Sequence, residues 1–274
     1  VAQGVELSVR IPWKGKDRRA FVDQAIADGI TRIIAGGGDG TLNKVSNILM
    51  KKGRAKKVSM GIMPLGTAND FAFGAGIPRE DLNKALLLAA TGTATAIDIG
   101  KVNGLHFINV ASGGFGAEIT ATTPQDLKAA LGGAAYTLMG LAKALKLKPY
   151  NASVVGTDGQ SKEVSMIAMA VGNNRFAGGG FEVAPKADMR DGLLDLSILS
   201  NEVRLDPVAM AAEIADPFNK DNKVFHYRQE RSFSIQSDRP LHMNLDGEPL
   251  IDTRFEFETI KRKLSVVLGN QTGN

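Results

Sequence analysis

The sequence lacks cysteine entirely, and histidine is scarce. Without cysteine there can be no disulfide bond, no thiol nucleophile and no cysteine-ligated zinc site. The three histidines, His106, His226 and His242, are scattered along the chain, so a histidine-rich metal cluster is not expected. No stretch approaches the roughly 18 consecutive apolar residues that indicate a membrane-spanning helix. The absence of cysteine thus excludes thiol-based redox proteins and cysteine-based zinc proteins.

Charge of either sign is moderate. The 274 residues are 43% hydrophobic, which predicts one large or two modest globular domains. The net charge of +4 fits an anionic ligand or an anionic membrane surface. The basic run over residues 51–57 has no aromatic residues interleaved with it, so a nucleic-acid partner is not predicted. The sequence starts at Val1 without a methionine, and we expect further residues before it.

Strand-like and helix-like segments alternate over the first hundred residues, which favours an α/β domain with a mostly parallel sheet. The predicted strands span residues 5–11, 30–37 and 58–67, and the predicted helices span residues 17–29, 41–53 and 78–92. Asn103-Gly104 then predicts a hairpin, and short strand-like segments typical of an antiparallel β-sandwich follow. We therefore predict domains at 1–98 and 99–260, with 261–274 returning to the first domain.

The segment IIAGGGDGTLNKV, residues 33–45, leads from a strand into a helix. Glycines there allow a phosphate to approach the backbone N–H groups, and the helix dipole favours the anion. Asp39 would repel a phosphate, unless it orients a metal ion, a water or a donor of the loop. The spacing fits neither a Walker loop nor the dinucleotide fingerprint. The alternative is a tight turn without a ligand.

A second loop, MPLGTANDFA at residues 63–72, also follows a strand. Gly66 and Thr67 can offer backbone and hydroxyl groups, whereas Asn69 and Asp70 favour a turn. Ligand sites in α/β sheets lie at the carboxyl ends of the strands. The sequence therefore predicts that the two loops lie side by side.

The two loop sequences together resemble the bacterial diacylglycerol kinase-like lipid kinases, most closely the YegS-like branch. The resemblance extends over LKAALGGAAY, GNNRFAGGGFEVAP, DGLLDLSIL and NLDGEPL. It implies an α/β nucleotide-binding domain of the NAD kinase and diacylglycerol kinase type, followed by a mainly antiparallel β-sandwich for the acceptor. It also implies transfer of the γ-phosphoryl group of ATP to a lipid hydroxyl, of diacylglycerol or a phosphatidylglycerol-like lipid, in an interdomain cleft. The family's first strand and a phosphate loop would precede this sequence.

The resemblance also implies site residues. The implied nucleotide contacts are Gly38, Asp39, Gly40, Thr41, Leu42, Asn43, Lys44 and Thr67, and the implied catalytic residues are Glu248, as proton acceptor, and Asp39. Two positions depart from the branch. Lys44 replaces a usual glutamate, and Pro12 replaces a nucleotide-contacting threonine although proline has neither a hydroxyl nor an N–H group. Spacing alone favours a plain hairpin with a solvated Glu248, and the role of Asp246 beside it is open.

The segment ADMRDGLLDL, residues 187–196, resembles the metal site of the family. This implies Mg²⁺ or Ca²⁺ bound by the backbone carbonyls of Asp188 and Leu193 and by the Asp191 carboxylate, which are oxygen ligands suited to hard cations. The alternative from spacing is a plain Asp-Gly turn.

An amphipathic helix predicted over residues 124–148 has lysines beside its apolar stripe, so it could rest on an anionic membrane or pack on the sandwich. The expected partners are a lipid acceptor and a peripheral membrane surface. We expect a cytoplasmic enzyme of phospholipid metabolism that visits the inner face of the membrane. An NAD kinase and a non-catalytic nucleotide or lipid sensor remain as alternatives.

Overall fold

The computed structural model describes residues 4–114, 148–200 and 212–270. The chain divides into two compact units, Val1–Ile97 with Arg262–Asn274 and Asp98–Lys261. The amphipathic helix predicted over residues 124–148 lies outside the described residues, except for Lys148. The α/β and antiparallel β classes expected from the sequence are confirmed, one in each unit.

The first unit has helices on a small parallel sheet. Its helices are α1 (Gly15–Ala27), α2 (Asp39–Met50), α3 (Asp70–Gly74) and α4 (Leu82–Thr91), with a 3₁₀ helix at Lys51–Lys56, and its strands include β1 (Arg32–Gly37) and β2 (Ser59–Pro64). β1 and β2 pair in parallel, from Arg32 opposite Ser59 to Gly37 opposite Pro64. The apolar stripe of α2 is buried at Leu42, Val45 and Leu49. Because β1 and β2 end level with each other, the loops that follow them start at the same edge of the sheet.

Two predictions for this unit are wrong. Residues 5–11 form no strand, because no strand of the described part of the chain pairs with them and an alternating pattern alone cannot supply a ladder. Leu7, Val9 and Ile11 are accordingly 50%, 69% and 62% exposed. The helix predicted over residues 78–92 is α4, which begins at Leu82 because the Asp81 carboxylate accepts the N–H of Lys84 at 3.0 Å and caps the helix there.

The second unit is built mainly from antiparallel strands, which range from two to 20 residues in length. In chain order these are β3 (Ala94–Val102), β4 (Leu105–Phe107), β5 (Val110–Gly114), β6 (Tyr150–Val155), β7 (Ser161–Gly172), β8 (Phe176–Ala177), β9 (Phe181–Glu182), β10 (Leu194–Ser200), β11 (Phe225–Glu230), β12 (Ser232–Leu245) and β13 (Glu248–Val267). The first and last of these strands also extend into the first unit, where Val266 pairs in parallel with Met60. Asn103 and Gly104 have positive φ and join β3 to β4 in the predicted hairpin.

Strands β7 and β12 each pair with β5 and with β6 along one edge, and their other edges pair with β10 and β13. One half of each pairs with β5, and the other half pairs with β6. The register of β12 against β13 shifts between Gln236 and Leu241, which is where β12 changes from one neighbour to the other. Such irregularities let a long strand pass from one layer of a sandwich to the next. The enclosed core contains the stacked rings of Phe233 and Phe257, whose centroids are 4.9 Å apart.

Candidate active site

The first glycine loop joins β1 directly to α2. The Gly38 carbonyl accepts the N–H groups of Thr41 and Leu42, at 2.8 and 3.1 Å, and so begins the helix. A Cβ atom at Gly37 would lie 2.5 Å from the Thr41 Oγ1 atom, so this position has no room for a side chain. The loop thus brings the amino end of a twelve-residue helix to the edge of the sheet.

The second glycine loop touches the first. The N–H of Leu65 donates to the Gly37 carbonyl at 3.1 Å. A Cβ atom on Gly66 would lie 2.4 Å from the Cα atom of Gly38, so the two backbones meet where neither has a side chain. Asn69, in a left-handed conformation, accepts the Gly66 N–H at 2.9 Å and donates to the Gly66 carbonyl at 2.7 Å. The structure therefore places the two loops side by side.

The Asp39 carboxylate joins the two loops. Its oxygens accept the backbone N–H groups of Asp70 at 3.1 Å and of Phe71 at 2.9 Å, which are the first two residues of α3. Burial raises the pKa of Asp39, and the negative charge of Asp70 raises it further, whereas these N–H groups lower it. Of the roles considered from the sequence, orienting a donor of the loop is the one that this geometry provides.

The residues predicted to contact the nucleotide differ in their exposure to solvent. Leu42 and Asn43 are buried, so their side chains belong to the packing of α2. Only the backbone groups of these two residues could contact a ligand. Thr67 and Lys44 are exposed. The loop residues Gly38 and Thr67 thus leave accessible groups beside the amino end of α2, as a phosphate site requires.

Glu248 is the first residue of β13 and stands opposite Leu245 across a two-residue turn. The turn residues Asp246 and Gly247 both have positive φ, +48° and +99°. This matches the turns that join antiparallel strands with the correct twist. The Gly247 N–H also donates to the Asn244 side chain at 2.6 Å. The turn presents the Glu248 side chain to solvent, whereas the Asp246 side chain is buried.

The predicted metal residues lie in a turn before β10. The Asp191 carboxylate accepts the Leu193 N–H at 2.8 Å, and the Asp188 carboxylate pairs with Arg190 at 3.0 Å. Burial raises the pKa of Asp191, and the charges of Asp188 and Asp98 raise it further. In residues 4–114, 148–200 and 212–270, no three His, Asp or Glu side chains converge as a metal site. The implied site uses one carboxylate with two carbonyls, and the crowded negative charge at Asp191 is what a cation would relieve.

A buried carboxylate beside this turn was missed in the sequence. Asp195 is 1% exposed and accepts hydrogen bonds from the Tyr227 hydroxyl and, at 3.0 Å, from the Gln229 amide. Burial raises its pKa to about 7, and the charges of Asp191 and Asp188 add to that rise. The alternating pattern of LLDLSIL places Asp195 on one face of a strand, but nothing local indicates the partners on β11.

The second unit also has a cavity of about 370 Å³. Its apolar wall includes Val164, Leu196, Ile198 and Phe218, and its basic wall includes Lys162 and Arg228. Arg228 pairs with Glu230. The cavity therefore combines apolar and cationic surface within one unit.

Comparison with known proteins decides the family. The family model of the diacylglycerol kinase catalytic domain matches residues 1–102, and that of the YegS C-terminal NAD kinase beta sandwich-like domain matches residues 109–268. The chain belongs to the YegS-like lipid kinase family. A probable lipid kinase YegS-like from Citrobacter koseri is 43% identical over 263 residues, 96% of this chain and 86% of the relative. One from Shewanella frigidimarina is 40% identical over 267 residues, 97% of this chain and 85% of the relative.

Solved structures support the same fold. A putative diacylglycerol kinase from Bacillus anthracis superimposes with a TM-score of 0.77 at 23% identity, over 94% of this chain and 85% of that chain. In this YegS-like chain both glycine loops fall within the matched catalytic domain, whereas Glu248 and Asp191 fall within the matched sandwich domain. Among the described residues, no helix is both long and apolar enough to span a bilayer.

Proposed function

We propose that this chain transfers the γ-phosphoryl group of ATP to the hydroxyl group of a lipid. The observation that carries the proposal is the junction of the two glycine loops, where Gly38 meets Gly66 and Asp39 holds the start of α3. A junction without side chains, at the amino end of α2, suits the phosphates of a nucleotide. The names of the relatives supply the lipid as acceptor class.

In this proposal the first unit is the nucleotide domain and the second is the acceptor domain. The nucleotide phosphates lie over residues 38–44, where backbone N–H groups and the dipole of α2 stabilise their charge. The Thr67 hydroxyl and the Lys44 ammonium group are exposed and can supply further contacts. Phosphoryl transfer depends mostly on such positioning and charge stabilisation.

Glu248 is the proposed base. A lipid hydroxyl is a weak acid, so it needs a proton acceptor as it attacks the γ-phosphorus. The Glu248 carboxylate is exposed at the start of a strand, next to a turn of defined conformation. It would take the hydroxyl proton while the oxygen bonds to phosphorus and the bond to the ADP leaving group breaks.

The cavity of the second unit supports an acceptor with an apolar chain and an anionic group. Phe218, which is 52% exposed, offers an apolar surface for part of an acyl chain, and Lys162 offers a cation for a phosphodiester. A phosphatidylglycerol-like lipid has both features, whereas diacylglycerol lacks the anion. Peripheral contact with the inner face of a cytoplasmic membrane, as part of phospholipid metabolism, completes the proposal.

A divalent cation fits the turn before β10. The Asp191 carboxylate and the carbonyls of Asp188 and Leu193 would hold Mg²⁺ or Ca²⁺, whose charge would offset the negative charges of Asp188 and Asp98 that act on Asp191. Mg²⁺ should raise the melting temperature of the native chain but not of Asp191→Asn. Asp188→Asn is the matched control, because it keeps the carbonyl and should keep the response. An equal response in Asp191→Asn would remove this site.

The deciding experiment is an ATP assay against purified lipids, with the product identified by mass. A phosphorylated hydroxyl lipid supports the proposal, and an anionic acceptor should exceed diacylglycerol in turnover. Formation of NADP from NAD would instead make the chain an NAD kinase. Binding of ATP without turnover on any acceptor would make it a sensor.

A further inference from the structure

The Asp246 carboxylate accepts hydrogen bonds from three consecutive backbone N–H groups that lie far from it in sequence. The Asp246 Oδ2 atom accepts the N–H of Ile108 at 2.6 Å, and its Oδ1 atom accepts those of Asn109 at 3.1 Å and Val110 at 2.9 Å. The Asp246 N–H donates back to the Val110 carbonyl at 3.2 Å. Asp246 is only 7% exposed. Both its oxygens are therefore committed to residues 108–110.

This arrangement explains why the turn begins with aspartate. A two-residue turn of this conformation is formed at least as well by Asn-Gly as by Asp-Gly. An asparagine side chain has only one accepting oxygen, and its NH₂ group would face N–H donors. Three donors shared between two oxygens need a carboxylate. The Asp246 carboxylate is therefore needed to accept the N–H groups of residues 108–110, and not only to form the turn.

The receiving segment is itself fixed from the other side. The buried Asn173 side chain donates to the carbonyls of Ile108 and Asp98, at 2.8 and 3.0 Å. The buried Asn109 side chain donates to the Phe176 carbonyl at 3.0 Å, and the Asn109 backbone carbonyl accepts the Asn173 N–H at 2.9 Å. Because side chains and backbone both hold it, this segment is a firm support for the turn.

We infer that Asp246 is a positioning residue that fixes the Glu248 carboxylate, two residues away, for proton abstraction. The inference rests on the proposed role of Glu248 as base. It assigns different roles to the two acidic residues of the DGE sequence at residues 246–248. Asp246, buried and fully engaged by N–H groups, anchors the turn, and Glu248, exposed on the next strand, reacts. Misplacement of a reacting group by about 1 Å can cost 10²-fold in rate, so the anchor has a measurable effect.

The test compares Asp246→Asn, Glu248→Gln and the double variant, with turnover measured per folded molecule. Asp246→Asn should lower kcat by roughly 10- to 100-fold and leave the KM for ATP unchanged. In the Glu248→Gln background it should cause no further loss, because there is no base left to position. Asp252→Asn, an exposed aspartate on the same strand, is the control and should retain full turnover.

The outcomes separate the inference from the function beneath it. If Glu248→Gln is impaired and Asp246→Asn lowers its residual rate by the same factor again, the anchor is merely structural and the inference is wrong. If Glu248→Gln turns over normally, the proposed base is wrong instead. Should Asp246→Asn not fold, Asp246→Glu keeps the carboxylate but displaces the turn by one methylene. It should fold with a reduced kcat, and a normal kcat there would overturn the inference.

Discussion

The Asp39 carboxylate lies 2.9 Å from the backbone nitrogen of Phe71, across two loops that are 32 residues apart in sequence. Asp39→Asn should therefore have two effects. Removing one charged acceptor from the start of α3 should lower the free energy of unfolding by about 1 kcal/mol. Loosening the junction should also abolish phosphoryl transfer, measured with ATP and the preferred lipid. Normal turnover in the folded variant would contradict the proposed nucleotide site.

Gly66→Ala should separate the two loops. The added methyl group would lie 2.4 Å from the Cα atom of Gly38, so one backbone must move. We expect a loss of roughly 1–3 kcal/mol in the free energy of unfolding, as for other overpacked positions, and weaker ATP binding by calorimetry. Gly15→Ala is the matched control, because no atom lies within 4 Å of its added methyl group. Unchanged ATP affinity in Gly66→Ala would argue that nucleotide binds elsewhere.

Glu248→Gln keeps the shape of the side chain and removes its proton-accepting charge. Turnover should fall by roughly 10²–10⁴-fold, the usual contribution of a general base. The affinity for ATP should not change, since Glu248 is not among the proposed nucleotide contacts. Glu256→Gln, an exposed glutamate on the same strand, should behave as the native chain. A Glu248→Gln chain that fails only because it no longer binds ATP would show that Glu248 is not the base.

Asp195 should make stability depend on pH. Its pKa is near its ordinary value of about 3.9 in the unfolded chain and about 7 in the folded chain. The folded state thus binds the Asp195 proton more tightly than the unfolded state. The stabilisation that results is complete below pH 4 and is lost as the pH rises to about 7. Each pKa unit corresponds to about 1.4 kcal/mol. In urea titrations, the free energy of unfolding of Asp195→Asn should fall less over this pH range than that of the native chain. Asp158→Asn, which changes an exposed aspartate, is the control and should behave as the native chain.

The sequence predicts those parts of the fold that depend on local patterns. The stripe of α2, the Asn103-Gly104 hairpin and the approach of the two glycine loops all follow from spacing, turn chemistry and strand polarity. The strand at residues 5–11 was predicted wrongly, since a ladder needs a partner that the pattern cannot reveal. The short helix α3 was also missed, because a carboxylate from another loop caps it.

The candidate site shows the same division. The glycine loops and the Asp-Gly turn before Glu248 are visible as motifs. The hydrogen bonds of Asp246 to residues 108–110 and of Asp195 to Tyr227 are not, because each joins strands far apart in sequence and depends on burial that only the folded sandwich creates. The roles of the metal and nucleotide residues remain predictions.

The two carboxylate anchors differ in the length of chain that each one closes. Asp39 and Phe71 are 32 positions apart in sequence, whereas Ile108 and Asp246 are 138 positions apart. Closing the longer loop costs about 1 kcal/mol more chain entropy, since the cost grows with the logarithm of length. That cost is offset when the strands between residues 108 and 246 pair into the sandwich, so the turn of Glu248 should stay ordered until the second unit unfolds. Turnover should then be lost in the same urea transition as the fold of the second unit, whereas ATP binding should follow the unfolding of the first unit.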